Sequence, residues 1–107
     1  MSIQLERKST AEKGYSDSLY EVRFVPVTER IEYQTGPIAD ALAILQEQME
    51  SQDFERYIDT LLRINFDGTR LLLITKREIN RTILEGKFYD LICKAFRVSS
   101  FRVVSQA

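Results

Sequence analysis

The side chains best suited to chemistry are almost missing from this chain. It has no histidine and one cysteine, Cys93, so the commonest general base and metal ligand is gone and no thiol pair exists for a metal or redox centre. Catalysis would have to rest on carboxylates, lysine or serine. Asp53, Glu55 and Asp59 form the densest carboxylate group. They have the oxygen chemistry of a hard-cation site but not the D-x-D-x-D-G loop that wraps such ligands around one ion, and a solvated helix face is the better account of them. The glycines, Gly14, Gly36, Gly68 and Gly86, are too scattered for a phosphate-cradling loop. What remains is cationic: Lys76, Arg77, Arg81, Lys87 and Lys94 can meet phosphates or simply solvate a helix. This inventory points to binding of a macromolecule, with no catalytic residue, metal or cofactor.

Hydropathy periodicity predicts the elements that position these groups. Residues 1–18 are polar, lack periodicity and include Gly14, and are expected to form a tail with little order. Tyr20, Val22 and Phe24 then alternate with Glu21 and Arg23, and residues 28–33 are again strand-like, which predicts a hairpin or one bent strand. Pro26 lacks a backbone donor and would place that strand at a sheet edge. Gly36 and Pro37 mark a helix start, and Ile38, Leu42, Leu45 and Met49 form one apolar stripe. Ser51 is placed to cap a second helix, with Asp53 in its first turn and Phe54, Tyr57, Ile58 and Leu61 on its apolar face.

Leu62, Ile64 and Phe66 alternate with polar residues, Asp67-Gly68 favours a tight turn, and residues 70–74 return as a second strand. Thr75 and Glu78 have capping-box spacing, predicting a long helix from Lys76 whose apolar positions run from Ile79 and Ile83 to Phe96, with Gly86 its weak point. Residues 101–104 read as a last strand. The order is α-α-β-β-α-β, an α+β domain over residues 37–107 with a three-stranded sheet packed on helices, preceded by a tail and strand-like extension over residues 1–36.

The 107 residues suit one domain with one core, and 44% hydrophobic with 29% charged residues excludes a disordered chain. No apolar run approaches the roughly 18 residues of a membrane span, and the first residues lack an apolar signal core, so a cytoplasmic location is expected. A lone cysteine permits no internal disulfide, and its helical setting predicts a small buried apolar group. The net charge of −1 conceals a division. Over residues 37–61 only Arg56 opposes six acidic residues, whereas from residue 62 onward nine basic residues face four acidic ones. Two oppositely charged faces are expected, able to steer partners.

Leu42 and Leu45 on the first helix, Asp53-Phe54 and Tyr57-Ile58 on the second, residues 71–74 in the hairpin, Ile79, Ile83, Phe88 and Ile92 on the long helix, and residues 101–104 in the last strand form a joint pattern. In that pattern and order, residues 37–104 resemble the N-terminal domain, domain I, of the bacterial replication initiator DnaA. That family often places Trp at the positions of Ile38, Tyr57 and Ile83, and this chain has none. The initiator's ATPase and DNA-binding domains have no counterpart here, which suits either a fragment or a stand-alone homologue.

The resemblance implies a KH-like fold and a protein-interaction module of DNA replication initiation, docking to the replicative helicase, the initiator or a regulator, with self-association. Carried over residue by residue, the helicase-contact carboxylate falls on Asp53, beside Gln52, the regulator-facing apolar position on Ile79, and the self-association position on Ile38. Gln52, Asp53 and Ile79 would then share a surface between the second helix and the start of the third. Ordinary roles stand beside these: a helix-dipole partner for Asp53, and core for Ile38 and Ile79. Two other readings remain open. One is a small KH-like nucleic-acid-binding protein using Lys76, Arg77, Arg81 and Lys87, although the G-x-x-G loop of that fold is missing. The other is a phage or plasmid regulator that mimics domain I.

Overall fold

The helical order begins where backbone freedom permits a sharp entry. In a computed structural model describing residues 24–106, Gly36 has φ +83°, a left-handed value that glycine adopts without Cβ strain. Pro37 follows within the first turn of α1 (Gly36–Gln48), where its missing N–H costs nothing. Ala41, Leu42, Leu45 and Met49 are buried and Ile38 is half-buried, so the predicted stripe faces the core.

After an extended Met49, α2 (Ser51–Asp53) runs straight into a π-turn (Phe54–Ile58). The Asp59 N–H closes that turn on the Phe54 carbonyl at 2.9 Å, one residue further than an α-helix would reach. The expected cap is corrected here. Ser51 is the first helical residue, Glu50 holds the cap position, and no side chain makes a cap bond. Phe54, Tyr57, Ile58 and Leu61 are buried as expected.

β1 (Arg63–Phe66) and β2 (Leu71–Thr75) form the antiparallel hairpin, with Ile64 opposite Leu73. Its turn is held by Asp67, whose Oδ1 accepts the N–H of Thr69 at 2.9 Å, the Thr69 hydroxyl at 3.0 Å and the N–H of Arg70 at 2.7 Å. Gly68 supplies φ +101°. β3 (Arg102–Ser105) lies parallel to β2 on its other side, giving the order β1-β2-β3. A parallel pair needs a long crossover, and α3 (Glu78–Gly86) with α4 (Tyr89–Phe96) provides it.

Two expectations about that crossover are corrected. It is not one long helix. Lys87 and Phe88 both return their N–H groups to the Ile83 carbonyl, at 2.9 and 3.4 Å, and Phe88 leaves helical geometry (φ −108°, ψ 10°) before α4 begins. The break lets α4 bury Ile92, Ala95 and Phe96 against α1 while α3 lies along β2 and β3. Nor does Thr75 cap α3. It is the last residue of β2, fully buried, and α3 starts at Glu78 with Arg77 in the cap position. The Glu78 carboxylate turns to Ser105 and Arg81 instead.

The extended reading of residues 24–33 is also corrected, whereas residues 1–18 and the strand positions Tyr20 and Val22 lie outside the described residues. Pro26 leads into two successive 3₁₀ turns, Val27–Glu29 and Ile31–Tyr33. Their three-residue period turns Val27 and Tyr33 into the core while Ile31 points outward. Arg30, between them, donates through Nη1 to the Leu62 carbonyl at 2.8 Å, through Nη2 to that of Leu61 at 2.6 Å and through Nε to that of Val25 at 2.7 Å. The buried Tyr33 hydroxyl accepts the Ile64 N–H at 2.9 Å. The segment thus covers the outer side of β1 with side-chain partners and not with another strand.

One face of the sheet and the helices enclose a single core, in which Leu42, Leu45, Ile58, Leu61, Ile64, Leu73, Ile92 and Phe96 meet. The described residues therefore form an α+β domain with a three-stranded mixed sheet and four helices. None of the helices among the described residues is long and apolar enough to cross a membrane.

Candidate functional site

The π-turn and the opening of α3 lie side by side and leave a groove of about 940 Å³ between them. Each wall follows from the local sequence. On the α2 side Gln52, Glu55, Arg56 and Thr60 are the polar positions left exposed when Phe54, Tyr57 and Ile58 turn inward. On the other side β2 ends at Thr75, and Lys76 and Arg77 carry the chain out of the sheet into α3. Ile79 stands at the start of α3, and Phe24 comes in from the N-terminal segment.

Two apolar side chains mark this groove as unusual. Ile79 is 59% exposed and Phe24 50% exposed. Exposed apolar residues standing singly are common, but here two line one concavity whose polar members include three cations, Arg56, Lys76 and Arg77, and one carboxylate, Glu55. No ion pair engages those three cations among the described residues. The Thr75 hydroxyl belongs to the lining residues, is buried, and finds no hydrogen-bond partner.

The predicted site residues are partly united. Gln52 and Ile79 share the groove, together with Lys76 and Arg77. Asp53, one residue from Gln52, is not part of the lining. Its Oδ2 lies 3.8 Å from the Lys87 Nζ, so the pair joins the acidic and basic halves of the chain. Arg81 is also engaged, by the Glu78 carboxylate one turn back and by Glu85 at 3.6 Å one turn on. Lys94 is exposed on α4, away from the groove lining. Ile38 packs half-buried on the core and lines a different concavity, with Phe66, Leu71 and Phe101.

The carboxylates considered for a cation point apart: Asp53 to Lys87, Glu55 to the groove, and Asp59 to Thr28, whose N–H and hydroxyl donate to it at 2.9 and 3.0 Å. Among the described residues no three His, Cys, Asp or Glu side chains gather as a metal site. Glu78, beside the groove, has its carboxyl held below the ordinary range, first by the Ser105 hydroxyl and then by Arg81. Cys93 is half-buried, and burial raises its thiol above the ordinary value, which disfavours the reactive thiolate.

Phe24, Arg56 and Thr75 are groove residues that sequence reasoning did not single out. Arg56 carried a usable signal, as the sole cation of an acidic segment. Phe24 carried none, because its place depends on the 3₁₀ turns that follow it. No family model matches the chain, and no curated protein or solved structure matches it.

Proposed function

We propose that the chain is a protein-docking module whose working surface is the groove between the π-turn and the start of α3, and that its partners belong to DNA replication initiation. The observation that carries the docking reading is the convergence of Gln52 and the 59%-exposed Ile79 on one groove. An exposed apolar anchor within a polar rim is the usual build of a binding hot spot. The replication part rests on the resemblance to domain I of DnaA. The element order supports it to this extent: counting α3 and α4 as one interrupted helix gives the α-α-β-β-α-β succession that the resemblance implies.

Affinity capture with replicative helicase and initiator tests both parts. Wild-type chain should retain one of them, and Ile79→Asp should weaken retention by roughly tenfold or more at unchanged melting temperature. Equal retention by the two removes the groove from the interface, and no retention of either protein removes the replication assignment. Asp53→Arg is a separate arm: a loss there would extend the surface past the groove to the Asp53–Lys87 pair.

A second reading, nucleic-acid binding, is favoured by Lys76 and Arg77 lining the same groove. It predicts gel shifts of short single or double strands that weaken steeply with salt. Absence of any shift at micromolar protein and low salt ends it.

A further inference from the structure

The groove's two ends differ in charge, and that difference selects what can lie in it. Between the π-turn and α3 the lining holds Arg56, Lys76 and Arg77 against a single carboxylate, Glu55. The concavity continues past Phe24 and Leu62 into a second one lined by Val25, Ile31, Glu29, Glu32 and Arg30. Phe24 and Leu62 belong to both, so the apolar path from Ile79 to Ile31 is continuous. Ile31 is 82% exposed and Val25 42% exposed. Arg30 lies 5.2 Å from the Phe24 ring centroid, close enough for a cation–π contact that steadies the middle of this path.

We infer that the groove takes an extended acidic-apolar peptide segment of a partner protein, its carboxylates against Lys76 and Arg77 and its apolar side chains along Ile79, Phe24 and Ile31. This rests on the docking reading above and adds the partner's chemistry to it. The cations between the π-turn and α3, which meet no carboxylate partner among the described residues, call for negative charge, because a neutral or basic segment would leave them buried without partners. The apolar path calls for side chains that a bare polyanion does not offer. At the far end Glu29 and Glu32 outnumber Arg30, whose guanidinium is taken up by the Val25, Leu61 and Leu62 carbonyls, and they disfavour a uniformly acidic occupant, so the acidic residues fall at one end of the segment. A nucleic-acid strand meets the first demand only, and its evenly spaced phosphates would run into those two glutamates.

Fluorescence anisotropy of the full chain decides this, with four probes. The first is a labelled twelve-residue peptide bearing Asp and Glu in one half and Leu and Phe in the other. The others are its Lys-for-acid counterpart, an acidic peptide without apolar residues, and an oligothymidylate of similar length. The acidic-apolar peptide should bind at least roughly tenfold more tightly than each of the others. Its binding should weaken with salt and fall by roughly tenfold in Lys76→Glu/Arg77→Glu and again in Ile79→Ser. These are exposed positions, so circular dichroism and melting temperature should stay as in wild type.

Three binding results overturn the inference: no binding of the acidic-apolar peptide at millimolar concentration, equal binding of the Lys counterpart, or tighter binding of the oligothymidylate that ignores Ile79→Ser. Self-association lost in Ile79→Ser, seen by sedimentation, assigns the groove to a second copy and overturns it as well. If capture of a replication protein still depends on Ile79 while the peptide fails, the docking reading survives and only the occupant's chemistry is wrong.

Discussion

Thr75 shows how much one side chain's setting matters. Its hydroxyl is buried at the end of β2 with no hydrogen-bond partner, although its backbone carbonyl accepts the Gln106 N–H at 2.8 Å. A buried hydroxyl without a partner costs about 1–3 kcal/mol, and valine has nearly the same shape without that cost. Thr75→Val should therefore stabilise the fold by about 1 kcal/mol, raising the melting temperature by roughly 4–8 °C for a domain of this size. Calorimetry of both proteins checks it. A fall in melting temperature would mean that the hydroxyl is satisfied in solution. Arg97 is a second residue in an unusual setting. It ends α4 with φ +60°, where glycine is the ordinary occupant, while the Val98 N–H returns to the Cys93 carbonyl at 3.0 Å.

Among the elements, the N-terminal segment departs most from expectation and has the clearest energetic role. Arg30 satisfies three carbonyls, and Tyr33 satisfies the N–H of Ile64 on the outer side of β1. Tyr33→Phe keeps the ring and removes only the acceptor, leaving a buried amide unpaired. It should lower stability by about 1–2 kcal/mol, read as a lower urea midpoint at unchanged slope. An unchanged midpoint would show that water takes the hydroxyl's place. The α3–α4 break is the other feature of this scale. Gly86 has open space where a Cβ would stand and no positive φ, so the break is not imposed by that residue's backbone. It follows from the two halves packing on different neighbours, α4 on α1 and α3 on the sheet.

At the scale of the whole molecule, two exposed carboxylates of the described residues contribute to the response to acid. Asp67 is held below the ordinary range, first by the Arg70 N–H and then by the N–H and hydroxyl of Thr69. Glu78 is held low by the Ser105 hydroxyl and then by Arg81. Their folded pKa values lie below the unfolded ones. The stability they add is therefore complete above about pH 5 and is lost as pH falls through the depressed folded values. With no histidine, no transition of that residue type intervenes near neutrality. Asp67→Asn/Glu78→Gln should melt lower than wild type at neutral pH yet lose less between about pH 5 and pH 3. Parallel declines in the two proteins would show that neither contact survives in solution.

The residues by themselves determined most of this molecule's local order. α1, the inward side chains of α2 and its π-turn, the β1–β2 hairpin with its Asp67-Gly68 turn, and β3 all follow from hydrophobic period and turn chemistry, which act over a few residues. The shared surface of Gln52, Asp53 and Ile79 was implied by the family resemblance and not by periodicity, and the groove unites Gln52 with Ile79 but leaves Asp53 outside its lining. Tertiary structure decided the rest. Strand-like alternation near Pro26 gave way to 3₁₀ turns, since Arg30 gains partners just before β1 and Tyr33 one on β1, more than thirty positions away. The Thr75–Glu78 capping pattern gave way to a parallel strand, with Ser105 and Arg81 taking the carboxylate. Even the groove's charge could not be read along the chain. Lys87 is drawn off to Asp53 and Arg81 to Glu78 and Glu85, which leaves Arg56, Lys76 and Arg77 to face what binds. Such pairings depend on which surfaces meet when the helices pack, and periodicity says nothing of that.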